Sequence, residues 1–142
     1  MKLLDVNLLL YAYHASSAQH HEAKQWLQEA FSAPAPVCLS WQTMTAFIRI
    51  STSSRIFDRP LSVSRCIDIV NSWLAVPSVR VLTASERHWE ILSGLLSHAQ
   101  CRGPLVMDAH LAALALEHGA TLYTTDRDFL RFQDLPIVNP LS

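Results

Sequence analysis

Three aspartates stand at the edges of apolar runs, far apart along the chain. Asp5 lies in LLDVNLLLYAY, Asp108 in PLVMDAHLAALALEHG and Asp126 in ATLYTTDRDF. Burying an unpaired carboxylate is costly, so each needs a partner, and a divalent cation is an economical partner for several acids at once. Carboxylate oxygens are the hard ligands that Mg²⁺ or Mn²⁺ prefers. A cation held this way can activate a water and stabilise charge on a phosphoryl oxygen, which is enough to cleave a phosphodiester without a protein nucleophile. Each acid also has a structural reading. Asp5 could cap a helix beginning near Asn7, Asp108 could favour its own helix dipole from the first turn, and Asp126 could cap RDFLRF. Asp128 reads as structural.

The remaining polar inventory excludes other chemistries. Seven histidines form no HExxH or HxH motif. His20 and His21 start an exposed helix face, and His110 and His118 ride an otherwise apolar helix, so none is expected to bind metal. Three glycines, with no GxxxxGK[ST] or GxGxxG, make a nucleotide cradle improbable, and no GxSxG elbow exists for Ser-His-Asp hydrolysis. Cys38, Cys66 and Cys101 are an odd set without CxxC spacing, which points to a reduced setting rather than a disulfide framework or zinc knuckle. Trp26, Trp41, Trp73 and Trp89 fit helix core positions better than base-stacking platforms.

These acids must be positioned by the elements around them. MKLLDV reads as a short buried strand, with Asn7 capping a brief helix LLLYAYH that ends near Ser16 and Ser17. Apolar residues recur at helical spacing from Gln19 to Phe31, and Pro34 and Pro36 stop that helix. VCL is a second strand. Ser40 caps WQTMTAFIRI, STSSRIFDRPLS is a loop, and Ser62 caps VSRCIDIVNSWLA. VRVLT is a strand, Ser85 caps RHWEILSGLLSHA, and the helix from Leu105 to His118 closes at Gly119. ATLYTT is a strand, RDFLRF a short helix, and PIVNP a final edge strand. Strands alternating with helices imply an α/β fold with a mainly parallel sheet. Sites in such sheets form outside the strands' carboxyl ends, where Asp5 and Asp126 fall; Asp108 can cover the same edge.

Composition sets the frame. The 142 residues, half of them hydrophobic and 16% charged, suit one domain spanning 1–142 and exclude disorder. The net charge of −1 does not advertise nucleic-acid binding, although it allows an acidic metal site with local substrate contacts. Arg49, Arg55 and Arg59 make the densest basic stretch, either a solvated loop or a substrate contact. No signal peptide is recognisable, and LLLYAY is too short to span a bilayer, so a cytoplasmic protein is expected.

LLDVNLLLYAYH at the start, SWQTMTAFIRISTSSRIF in the middle and MDAHLAALALEHGATLYTTDRDFLRF near the end resemble the PIN domain, in particular VapC-type toxin ribonucleases. The likeness covers essentially the whole chain. It implies a three-layer α/β/α sandwich around about five parallel strands and a Mg²⁺ or Mn²⁺ site of three or four acids. It also implies endonucleolytic cleavage of RNA, a homodimer and a cognate antitoxin. By motif the site acids match Asp5, Asp108 and Asp126, with Asn7, Thr124 and Thr125 as supporting polar residues. One departure stands out: many PIN domains carry a Glu three residues before an Arg in the helix after the second strand, where this chain has Ala46 before Arg49. No acid occurs from Pro34 to Phe57, so Thr43, Thr45 or waters would have to fill in; no spacing argument brings Glu22 there.

The leading expectation is therefore a metal-dependent endoribonuclease toxin, with Asp5 and Asp108 on the metal and Asp126 acting through water. Its rival is a nuclease-dead PIN-like module that binds RNA or a protein. An aspartyl-phosphate phosphatase is disfavoured, because Asn7 stands where a second Asp would act as acid. Mean hydropathy of +0.17 and several aromatic helices suggest a protein interface, placed on the helices of Trp26 and of Trp41 to Phe47.

Overall fold

The computed structural model describes residues 1–141. Five strands form one sheet: β1 (Lys2–Leu4), β2 (Val37–Leu39), β3 (Val79–Val81), β4 (Thr121–Tyr123) and β5 (Ile137–Val138). Their spatial order is β3-β2-β1-β4-β5, and every neighbouring pair is parallel. Six α-helices connect them: α1 (Val6–Tyr13), α2 (His20–Ser32), α3 (Trp41–Ser51), α4 (Val63–Leu74), α5 (His88–His98) and α6 (Leu105–His118). A 3₁₀ turn over Arg127–Arg131 follows β4.

Strand periodicity sorts the core into two halves. Leu4, Val37 and Leu39 join Phe47 and Trp73 in a cluster under α1 to α4. Leu3, Cys38 and Leu122 point the other way and pack with α6, Phe129 and Phe132. A sheet covered on both faces needs consecutive apolar residues, such as Leu3–Leu4 and Val37–Leu39, and gives three layers. Because successive residues serve opposite clusters, a one-residue slip of β1 would exchange both sets of contacts. Helix α6 buries Ala109, Leu111, Ala112, Ala113, Leu114 and Ala115, so small residues let it lie close to the sheet. It ends at Gly119 with φ of 66°, a left-handed turn that suits glycine.

Several local expectations need correction. Asp5, not Asn7, caps α1: its side chain accepts from the Val6 N–H at 2.8 Å, and the helix ends at Tyr13 rather than near Ser17. Ser85 does not cap α5, which starts at His88; the Ser85 N–H is held by Glu117 of α6 at 2.6 Å, drawing the chain out of helix there. Of the four tryptophans only Trp73 is fully buried, whereas Trp41 is 54% and Trp89 69% exposed. The helix from Trp41 to Phe47 cannot offer Phe47 as an interface, because Phe47 and Met44 are core residues. Trp26 is half-buried and stacks on Tyr123 with ring centroids 5.6 Å apart. No helix among the described residues is long and apolar enough to cross a membrane.

Candidate functional site

The chain builds outward from β1 to β2 and β3 on one side, then returns to add β4 and β5 on the other. The reversal falls between β1 and β4, and a crevice at their carboxyl ends is where parallel α/β sheets place ligands. Asp5 follows β1 directly, and its backbone N–H continues the ladder to Tyr123 O at 3.0 Å. Asp126 lies three residues beyond the end of β4, and Asp108 is in the first turn of α6.

Thr124 joins the two strand-end acids. Its hydroxyl donates to Asp5 Oδ2 at 2.7 Å and accepts from the Asp126 N–H at 2.9 Å. Asp126 in turn accepts from the Asp128 N–H at 2.8 Å, capping the 3₁₀ turn. The structural readings of Asp5 and Asp126 are thus realised: Asp5 caps with Oδ1 and accepts from Thr124 with Oδ2, and Asp126 caps with Oδ1. Capping fixes the carboxylates without consuming them.

Asp108, Asp126 and Asp128 each place a carboxylate oxygen within 4.8 Å of the others. Asp128, expected to be structural, therefore stands with the acid cluster; the DRD spacing across one tight turn is the signal that could have shown it. Asp5 adds its field to the group from a site only 7% exposed. Burial raises its carboxyl above the ordinary range against the bonds from Thr124 and Val6, and Asp126 raises it further. Asp108 is pushed up to about 6, first by burial and then by Asp126, Asp5 and Asp128, with only Arg131 opposing. Arg131 is a weak counter-charge, its guanidinium 3.9 Å from Asp128 at a partly exposed position.

Like charges gathered with so little cationic relief fit a bound divalent cation. The donor set is all hard carboxylate oxygen, suited to Mg²⁺ or Mn²⁺ rather than to a soft metal.

Beside the acids a cleft of about 590 Å³ is lined by Asp5, Asp108, Gln42, Thr43, Ala46 and Arg49, among others. One wall is the length of α3 from Gln42 to Ile50, and the other comes from the starts of α1 and α6. Ala46 therefore sits in the cleft wall, and so do Thr43 and Thr45. Arg49 brings an exposed cation to the same opening. Arg55 lies exposed in the 52–62 loop and Glu22 is exposed on α2; neither lines this cleft. Asn7 is half-buried on α1 and Thr125 half-buried after β4, and the cleft lining includes neither.

A model of the PIN domain matches residues 2–135. Ribonuclease VapC37 of Mycobacterium tuberculosis is 41% identical over 133 residues, covering 94% of this chain and 92% of that protein. Ribonuclease VapC33 of the same species is 38% identical over 141 residues, 99% of each chain. Among solved structures, VapBC2 from Rickettsia felis bound to a promoter DNA fragment superposes with a TM-score of 0.66 at 17% identity, over 97% of both chains. The Mycobacterium tuberculosis toxin VapC20, described as cleaving the sarcin-ricin loop, gives 0.66 at 21% identity, over 92% of this chain and 93% of that one.

Proposed function

This chain belongs to the PIN domain family, and on that premise we propose that it is a divalent-metal-dependent endoribonuclease, the toxin of a toxin–antitoxin pair. The observation that carries the reading is the gathering of Asp108, Asp126 and Asp128, with Asp5 outside that trio but acting on Asp108 through its field, at the sheet's reversal point beside an open cleft. Relatives named as ribonucleases at up to 41% identity and fold neighbours described as toxins support the substrate class and biological role. An antitoxin, a second copy of the chain and a cytoplasmic location belong to the same reading.

Asp5 and Asp108 would hold Mg²⁺ or Mn²⁺ directly, and Asp126 would bind through water or orient the attacking water. The cation would supply Lewis acidity toward the phosphoryl oxygen and a more acidic water. Thr124 holds Asp5 and the Asp126 backbone in one arrangement, so neither carboxylate must reorganise when substrate arrives. Arg49, at the cleft mouth, suits a phosphate of the bound strand. Asn7, Thr125 and Arg55 would act at most from outside the cleft lining.

Replacing Asp5 by Asn keeps the cap geometry and removes the charge. Cleavage of RNA with Mn²⁺ present should disappear while the circular dichroism spectrum stays as in the parent. Full cleavage by a folded Asp5→Asn protein would end this assignment.

One observation favours a second reading, a nuclease-dead module that binds RNA or protein: the cleft wall carries Ala46 where many PIN domains place an acid. Calorimetric titration with Mn²⁺ separates the two, because a module without metal affinity gives no heat at millimolar metal.

A further inference from the structure

On the far side of Gln42 from the acidic cleft lies a smaller depression of about 190 Å³. Trp41, Gln42, Thr83 and His110 line it, with Ser40 and Leu82 at its floor. Gln42 lines both hollows and donates from Nε2 to Met107 O at 3.4 Å, so the two adjoin across this side chain.

Trp41 opens α3 and is 54% exposed, with no ring of the protein stacked on it among the described residues. An indole left this open, in a mostly apolar hollow with Leu82, Ala84 and Leu114 beside Thr83 and His110, is unused stacking surface. Bases stack on aromatic faces with little regard to sequence.

His110 supplies a reading group through a relay that begins in α6. The Glu117 side chain has no solvent exposure, and it holds the Ser85 N–H and His88 Nδ1, both at 2.6 Å. Burial would raise this carboxyl, but the bonds from Ser85 and His88 outweigh it and hold it below its ordinary value. The carboxylate accepts a hydrogen bond from His88 Nδ1, and His88 Nε2 meets His110 Nδ1 at 2.8 Å. That contact occupies His110 Nδ1 and leaves its Nε2 with no protein partner among the described residues. Gln42 adds an unsatisfied acceptor, since its Oε1 is buried without a partner.

We infer that this hollow is a nucleobase subsite for an unpaired residue flanking the scissile phosphate. Trp41 stacks the base, and His110 Nε2 hydrogen-bonds its edge. The inference rests on the ribonuclease reading and adds a specificity element to it. The occupant is taken as a base because the hollow adjoins the acidic cleft at Gln42, and a protein contact at Trp41 is an outcome of the test.

The test uses the full chain carrying Asp5→Asn, so that binding is read without turnover. Fluorescence anisotropy with a short single-stranded RNA and Mn²⁺ is measured for this parent and for the added changes Trp41→Ala, Trp41→Phe and His110→Ala. Trp41→Ala should weaken binding about tenfold, and Trp41→Phe should retain most of the affinity. One abasic position in the RNA should cost the parent a similar factor and cost the Trp41→Ala protein almost nothing further. His110→Ala in the active chain should change which bases flank the cleavage sites. An active enzyme whose RNA affinity and flanking-base preference ignore Trp41→Ala overturns the subsite alone. So does loss of self-association in Trp41→Ala with RNA affinity intact, which would make Trp41 a subunit contact. A parent that neither binds nor cleaves RNA overturns the ribonuclease reading and the subsite with it.

Discussion

Thr124 Oγ1 donates to Asp5 Oδ2 across 119 residues of sequence, in a buried contact of 2.7 Å. The same oxygen accepts the Asp126 N–H at 2.9 Å. One hydroxyl thus ties the carboxyl end of β1 to that of β4, and sets two acids relative to each other before any ligand binds. The family resemblance named Thr124 and Thr125 alike as supporting residues, and the packing shows that Thr124 makes this bridge.

Replacing Thr124 by Val keeps the volume and removes both bonds. A buried carboxylate and a backbone N–H are then left short of partners, which should lower stability by about 1–3 kcal/mol. RNA cleavage should fall more steeply than the folded fraction, and Thr124→Ser should restore most of both. Chemical denaturation with parallel cleavage assays makes the comparison. A Val variant as active and stable as the parent would show that the bridge does not organise the site.

Asp108 and Asp5 both titrate above the ordinary carboxylate range. A raised acid favours the fold while protonated. That contribution is complete below the unfolded value near 3.8 and is lost as pH rises through about 6 for Asp108. A divalent cation acts oppositely, since it requires the ionised forms. Mn²⁺ should therefore raise the melting temperature much more at about pH 7.5 than at about pH 5. Calorimetry should find proton release on binding near pH 6 and little at the higher pH. Equal thermal gains at both pH values would contradict metal binding through these acids.

Ala46 is half-buried in the cleft wall, where an added carboxylate can reach open space. Ala46→Glu should tighten Mn²⁺ binding by about tenfold or more, because affinity rises with the number of charged ligands. Without metal the same variant should be less stable than the parent, since a further negative charge joins an already repulsive group. Thermal melts with and without Mn²⁺ give both readings. A variant with unchanged metal affinity would place position 46 outside the coordination sphere.

Much of this arrangement could be read from local residues. KLL, VCL and TLY each set apolar residues next to one another, as strands buried on both faces do, and all three form strands. Ser40 and Ser62 cap α3 and α4 through their own hydroxyls, and Gly119 closes α6, because capping is settled within one helical turn. The start of α5 was not legible, because a carboxylate 32 residues away competes for the Ser85 N–H. The closeness of Asp128 to Asp108 was not legible, because it arises from packing between α6 and the turn after β4.

The sequence by itself determined the element order, the parallel sheet and the three acids at its edge, since apolar periodicity and capping chemistry act over a few residues. Tertiary structure alone decided which oxygens meet and which surfaces stay open. Helical spacing shows that Trp41 and Trp73 each share a face with apolar neighbours. Only the packing of α4 against α3 and β3 buries Trp73 completely and leaves Trp41 at the mouth of the site. Burial depends on what covers a face, and that information lies in contacts between distant segments.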